Sequence, residues 1–256
     1  MSVGVSLKTY FTRHQAREWF ALVADIARVS AAVREGAVEV FVIPTYLQLH
    51  DALDAFTGTG VHVGAQDVSA YPAGAYTGEV TAAELAESQV THAEIGHAER
   101  RRLFGETDEV TAAKATAALG AGLTPVLCLG EDERQDPADA AAATVAQLGA
   151  DLDGTPAGRV IIAYEPVWAI GAPEPAGAEH ISAVARALRT ELDARPERRN
   201  STVIYGGSAG PGLLTRLGDD VDGLFLGRFA HDPTAFAAVL DEAARLAARR
   251  TGGSTP

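Results

Sequence analysis

Short apolar runs alternate with longer amphipathic stretches along the whole of this chain. The apolar runs are V-G-V-S-L (3–7), V-E-V-F-V-I (38–43), V-H-V-G-A (61–65), T-H-A-E-I-G (91–96), L-T-P-V-L-C-L (123–129), R-V-I-I-A-Y (159–164), T-V-I-Y (202–205) and D-G-L-F-L (222–226). Several are β-branched and nearly continuous, the character of strands covered on both faces. The stretches between them read as helices. Residues 14–34 carry Trp19, Leu22, Val23, Ile26 and Val29 at helical spacing. Thr107 suits the N-cap of a helix over 108–120, and Asp136-Pro137 and Asp232-Pro233 each place a capping side chain before a proline at the first helical position. A helix over 178–195 stops before Pro196, while Gly122 and Gly149 stand where helix C-terminal glycines are expected.

Eight strand–helix units predict an α/β fold, a closed (β/α)8 barrel of eight parallel strands each followed by a helix. The reading is one barrel domain over 1–249 with a disordered tail at 250–256. An open doubly wound sheet would want a G-x-G-x-x-G turn after an early strand, and the sequence has none. With 256 residues, 47% of them hydrophobic, a sizeable core can be buried. No apolar run approaches the ~20 residues of a membrane span, and the N-terminus lacks the pattern of a signal peptide. The single Cys128 rules out an internal disulfide and a cysteine-built zinc cage. A soluble, cytoplasmic protein is expected. The net charge of −13 argues against a nucleic-acid partner. It also requires any anionic substrate to be held by a local positive site.

In a barrel of this kind chemistry collects at the C-terminal ends of the strands. That rule selects Ser6 and Lys8, His97 and Glu99, Glu165, Gly206 to Ser208, and Gly227-Arg228, from five different strands. One such residue alone would be structural more often than not; several at one end of different strands point to a site. Glu165 ends an otherwise apolar strand, and a carboxylate shielded from water suits general-base work, though it could also be a helix cap. The glycines after strands 7 and 8 would let backbone N–H groups approach a phosphate, with the following helix N-termini adding a positive dipole. The stretch T-H-A-E-I-G-H-A-E-R-R-R from Thr91 also holds two H-x-E pairs, His92/Glu94 and His97/Glu99. A zinc deaminase built on that pattern needs a P-C-x-x-C partner, which one cysteine cannot supply. Strand alternation sets His92 and His97 on opposite faces. No metal and no cofactor is expected, and Arg100 and Arg101 are read as structural ion-pair partners.

The run A-Y-E-P-V-W-A-I-G, Ala163 to Gly171, closely resembles the catalytic-glutamate segment and lid start of triosephosphate isomerase. I-G-H-A-E-R-R (95–101), L-C-L-G-E (127–131), Y-T-G-E (76–79) and Y-G-G-S (205–208) are similar to that family in order and spacing, over nearly the whole chain. The resemblance implies that Glu165 shuttles a proton between adjacent carbons of a phosphorylated hydroxy-carbonyl compound. It implies that neutral His97 donates a hydrogen bond to the carbonyl and stabilises the enediolate; this enzyme is itself the standard illustration of that pairing. Lys8 becomes the local positive charge, with Glu99 in support. Ser6 becomes a substrate contact, and Gly171, Ser208, Gly227 and Arg228 bind the phosphate end. Residues 166–176 become a mobile lid that excludes water. Thr77 would reach into a neighbouring subunit's site, so a homodimer is implied. The first substrate reading is interconversion of glyceraldehyde 3-phosphate and dihydroxyacetone phosphate.

The chain also departs from the family's pattern. Ser6-Leu7-Lys8 replaces an Asn-x-Lys, Ala98 replaces a serine, and Gly227-Arg228 replaces Gly-Gly. The lid continues as Ala172-Pro173-Glu174-Pro175-Ala176, whose two prolines restrict its second hinge. Glu94 is an odd residue for a barrel strand. Ser6, Glu94 and Arg228 together resemble paralogues from tetritol catabolism that isomerise four-carbon keto-phosphates such as erythrulose phosphate, the alternative reading. A catalytically silent barrel kept as a binding protein is the reading of another class, and intact Lys8, His97 and Glu165 speak against it.

Overall fold

The computed structural model describes residues 1–252; residues 253–256 lie outside it. The β-branched runs form β1 (Ser2–Ser6), β2 (Glu39–Ile43), β3 (Val61–Ala65), β4 (His92–Ile95), β5 (Thr124–Leu129), β6 (Ile161–Tyr164), β7 (Thr202–Tyr205) and β8 (Gly223–Leu226). They pair in parallel in chain order, and β8 closes on β1 with Ser2 opposite Gly223. The chain is therefore a (β/α)8 barrel. The helices are α1 (Arg13–Val29), α2 (Ala31–Arg34), α3 (Leu49–Phe56), α4 (Ala82–Glu87), α5 (Ala98–Phe104) and α6 (Asp108–Gly120). After these come α7 (Pro137–Leu152), α8 (Ala178–Asp193), α9 (Leu213–Leu217) and α10 (Pro233–Gly252).

Side chains alternate between two apolar layers, as the two-residue period of a strand dictates. Phe41, Ile43, Val126, Cys128, Ile161, Ala163, Ile204 and Phe225 fill the barrel's interior. Their neighbours Val40, Val42, Leu127, Leu129 and Ile162 face outward into the helices. Thr107 caps α6 by accepting from the Val110 N–H, and Gly122 follows that helix in the left-handed region at φ +78°.

Four sequence expectations are corrected. The helix expected over 14–34 breaks at Ser30, whose ψ of 111° is extended. Trp19 and Val23 of the expected stripe are buried, with Ala16, Phe20, Ala24 and Ala27, and Ile26 packs against the core, but Leu22 and Val29 are 53% and 79% exposed. Gly149 lies inside α7 instead of ending it. The last helix runs on through Gly252 because Arg250, placed by sequence in the tail, donates to Asp219 Oδ1 (3.0 Å) and Asp222 Oδ1 (3.2 Å). The rest of the expected tail, 253–256, lies outside the described residues.

The N-terminal end of the barrel is closed by a polar plug. Arg159 donates to both oxygens of Glu39, at 2.7 and 2.5 Å. His92 stacks on Phe41 with ring centroids 4.9 Å apart and brings Nε2 to 3.4 Å from Glu39 Oε1. Burial would raise the Glu39 carboxyl, but Arg159 and His92 outweigh it and hold the group well below the usual carboxylate range. His92 thus faces the interior, as His97 does; the two are separated by height in the barrel, not by strand face. Alternation fails because β4 ends at Ile95 and Gly96, at φ +69°, turns the chain before His97. Among the described residues, no group of three or more His, Cys, Asp or Glu side chains is arranged to hold a metal ion. No helix among them is long and apolar enough to cross a membrane.

Candidate active site

Strand ends from around the barrel open into one cavity of about 700 Å³ at the C-terminal face. Its lining includes Ser6, Lys8, His97, Glu99, Glu165, Gly171, Ser208, Gly227 and Arg228, nine residues read from the sequence as site residues. Thr77 is not among them; it is exposed on the loop after β3.

Lys8 follows β1 with φ +48°, a left-handed conformation that costs a non-glycine residue about 1 kcal/mol or more. Gln66, after β3, holds it there: Nε2 donates to the Lys8 carbonyl at 2.8 Å. The Lys8 ammonium donates to Glu99 Oε1 at 2.8 Å and lies 3.0 Å from His97 Nε2. Burial would lower the Lys8 pKa, but Glu165, Glu94 and Glu99 together hold it above its ordinary value, so the cation persists at any working pH. Burial likewise works against ionised Glu99, and the Lys8 hydrogen bond overrides it, keeping that carboxyl below its ordinary value.

His97 caps α5, its Nδ1 accepting from the Glu99 N–H at 3.1 Å. That bond assigns the proton of the neutral ring to Nε2. Two donors, the Lys8 ammonium and the His97 Nε2–H, therefore stand side by side at the cavity. An oxygen that accepted from both would gain negative charge at low cost, which is what a carbonyl becoming an enolate requires.

Glu165 follows β6 and is only 7% exposed. Its Oε2 is approached by His97 Nε2 to 3.3 Å, yet it is buried without completing a hydrogen bond. An acceptor left open in this way is ready to take a proton from bound substrate. Gly206 makes room for it: a Cβ there would lie 2.4 Å from Glu165 Oε1.

The segments after β7 and β8 line the opposite side of the cavity. Ser208 takes φ +54°, and its hydroxyl donates toward the lid carbonyls of Ala169 (3.0 Å) and Ala172 (2.8 Å). The side chain is thus committed to the lid, leaving the backbone of this turn to face the cavity. The Arg228 guanidinium reaches across to the lid tip, 3.9 Å from where a Gly171 side chain would begin. The helices expected to add a dipole are slight: α9 has five residues and β8 is followed by a short 3-10 turn, Arg228–His231. Arg228 is the nearest side-chain cation on this side of the cavity.

Sequence reasoning passed over two supporting residues. Gln66 positions Lys8, as described. Buried Glu131 anchors the lid, accepting from Trp168 Nε1 at 2.9 Å and Tyr164 Oη at 3.0 Å, with His180 Nε2 2.8 Å away. Both follow strand ends, β3 and β5, so the rule that selected the other site residues applied to them as well. Arg100 pairs with Asp67 and Glu106, and Arg101 with Asp108 and Asp151, as the sequence suggested.

A buried carboxylate, an imidazole beside an ammonium, and an arginine under a loop line one cavity at the strand ends, an arrangement of the enzyme class that moves protons within a carbonyl substrate. The family model for triosephosphate isomerase matches residues 1–243, and the chain belongs to that family. It is 47% identical to L-erythrulose-1-phosphate isomerase of Pectobacterium atrosepticum, covering 97% of this chain and 98% of that one. It is 39% identical to triosephosphate isomerase of Symbiobacterium thermophilum, covering 96% and 98%. L-erythrulose-1-phosphate isomerase of Rhizobium etli is 38% identical, over 96% of this chain and 92% of that one.

Proposed function

We propose that this protein shifts the carbonyl of a short-chain sugar phosphate to the neighbouring carbon through an enediolate. Glu165 removes the proton from the hydroxyl-bearing carbon and returns it to the former carbonyl carbon. His97 and Lys8 hold the oxygens while charge is on them, and the segments after β7 and β8 form with the lid an anion grip that holds the phosphate. The observation that carries this reading is the triangle at His97 Nε2, 3.0 Å from Lys8 Nζ and 3.3 Å from Glu165 Oε2. A donor, a cation and a base this close together are within reach of one small substrate fragment, which supports the reading. These roles use side chains alone and call on no cofactor.

Triose phosphates fit this reaction, and relatives named triosephosphate isomerase support them; the reaction would then serve glycolysis and gluconeogenesis in the cytoplasm. A four-carbon keto-phosphate is the second reading, favoured by buried Glu94 next to the reacting groups and by the 47% identical relative. L-erythrulose 1-phosphate is dihydroxyacetone phosphate with a hydroxymethyl group replacing one hydrogen on the carbon farthest from phosphate. Proton transfer from that carbon to the carbonyl carbon is the same chemistry. Purified protein is expected to turn over both, with kcat/KM higher for the four-carbon substrate in a direct comparison. Turnover of neither would refute the isomerase reading.

A homodimer is part of the proposal. Leu47 (87% exposed), Leu103 (65%) and Phe104 (68%) are large apolar side chains left exposed after β2 and on α5. Asp67 links these two segments, accepting from the Tyr46 hydroxyl at 2.7 Å through its carbonyl and pairing with Arg100, which stacks under Phe104. Sedimentation at micromolar concentration is expected to give twice the 26.6 kDa chain mass, and Leu47→Glu to give monomer. Monomer in the unsubstituted protein would remove the role of Thr77 at a neighbouring site.

A further inference from the structure

Glu94 sits where the barrel's interior should be apolar. Alternation on β4 points it inward with His92, into the layer built from Phe41, Ile43, Val126 and Cys128. It is 4% exposed, and among the described residues its one hydrogen-bond partner is Ser6, itself 3% exposed, whose hydroxyl donates to Glu94 Oε2 at 2.8 Å. Nothing in the proton-transfer scheme uses this pair. A carboxyl buried with one partner is expensive to keep unless something else engages it.

The pair has a direction. Ser6 has one hydroxyl hydrogen, and it is committed to Glu94. Ser6 lines the cavity, so what it offers a ligand is an acceptor lone pair. The strand order adds a position. In a closed ring of eight strands β4 lies across the barrel from β8, where the anion grip stands. Ser6 ends β1, the strand beside β8, and its hydroxyl reaches Glu94 from there, so the pair runs from beside the anion grip toward the far wall, along the line that a substrate held by its phosphate at β7–β8 would follow. Burial raises the Glu94 carboxyl, against the opposing pull of His97 and Lys8.

We infer that Ser6 and Glu94 are the chain-length determinant of the site: they receive the terminal hydroxymethyl group of a four-carbon keto-phosphate, Ser6 Oγ accepting from its hydroxyl while Glu94 fixes Ser6 in that role. This rests on the isomerase reading above. A serine in place of an asparagine frees the volume of two non-hydrogen atoms, the number that a hydroxymethyl group adds. Glu94 and Ser6 are specificity residues and take no proton from the reacting carbons.

The test compares kcat/KM for L-erythrulose 1-phosphate and dihydroxyacetone phosphate in the full chain, Glu94→Leu and Ser6→Asn. Glu94→Leu leaves the Ser6 hydrogen without its acceptor; Ser6→Asn refills the space with a donor amide. Both are expected to lower the four-carbon to three-carbon ratio at least tenfold, with the loss on the four-carbon side carried mainly by KM. A ratio unchanged in both folded variants would overturn the inference, as would turnover of the three-carbon substrate alone by the unsubstituted protein. In either of those cases the isomerase reading stands. Turnover of neither substrate by the unsubstituted protein would instead bring down that reading.

Discussion

Glu165→Gln is expected to lower kcat by about 10³-fold, within the 10²–10⁴ range that a positioned general base contributes. The amide matches the carboxylate in shape but cannot accept the proton. Glu165 stands at a position that only a small backbone neighbour permits, since a Cβ at Gly206 would collide with it at 2.4 Å. Its Oε2 is buried without a hydrogen bond, and an amide fills the same volume, so the fold should survive. The expected pattern is an equal fall in kcat and kcat/KM with circular dichroism unchanged, the signature of an interaction made in the transition state. Exchange of solvent deuterium into the substrate should fall in parallel, because the same carboxylate carries the proton. Glu165→Asp would retract the carboxylate by one methylene, and a displacement of about 1 Å costs roughly 10²-fold. If both variants kept every measured property, the barrel would be a binding protein and not an isomerase.

Lys8→Met is the second large effect, an expected loss of about 10²–10³-fold in kcat, comparable to removing one donor from an oxyanion site. Glu165, Glu94 and Glu99 keep the Lys8 ammonium charged against the cost of burial, so its charge is fixed over the working pH range. Without it, three carboxyl groups face the reacting oxygen with only His97 Nε2–H to offset them. Substrate affinity should fall too, because a protein of net charge −13 offers a phosphate ester no attraction from its overall field. Lys8→Arg is not expected to rescue activity. The ammonium meets Glu99 Oε1 at 2.8 Å and His97 Nε2 at 3.0 Å as a compact charge, and a planar guanidinium cannot occupy that point. An equal loss in Lys8→Met and Lys8→Arg, measured with the chosen sugar phosphate, checks the argument. Full activity in Lys8→Met would show that His97 alone supports the developing charge.

Much of the fold was legible because its determinants are local. Eight short apolar runs alternating with amphipathic stretches leave little but a closed parallel barrel, and the caps at Thr107 and Asp232 mark helix starts through their side-chain oxygens. The end-of-strand rule then brought Lys8, His97, Glu165 and Arg228 together before any distance was known. What failed was reading too far along one element. The α1 stripe holds at Trp19 and Val23 but fails at Leu22 and Val29, which satisfy helical spacing without facing the core; only the seat of the helix against α3 and α10 selects Phe20 and Ala27. His92 and His97 were assigned opposite faces because alternation was carried past Ile95, where a left-handed Gly96 ends it.

The sequence by itself determined the barrel, the family and which polar side chains stand at the strand ends, since those depend on periodicity and on residue identity. Only the tertiary structure decided which groups are engaged and in which direction. It brought Gln66 to the Lys8 carbonyl across 58 residues and set the His97 proton on Nε2 through the Glu99 amide. It also took Glu94, half of an apparent metal motif in one dimension, and placed it against Ser6, 88 residues away in the chain. A hydrogen bond's partner and polarity depend on three-dimensional approach, which no spacing along a single strand specifies.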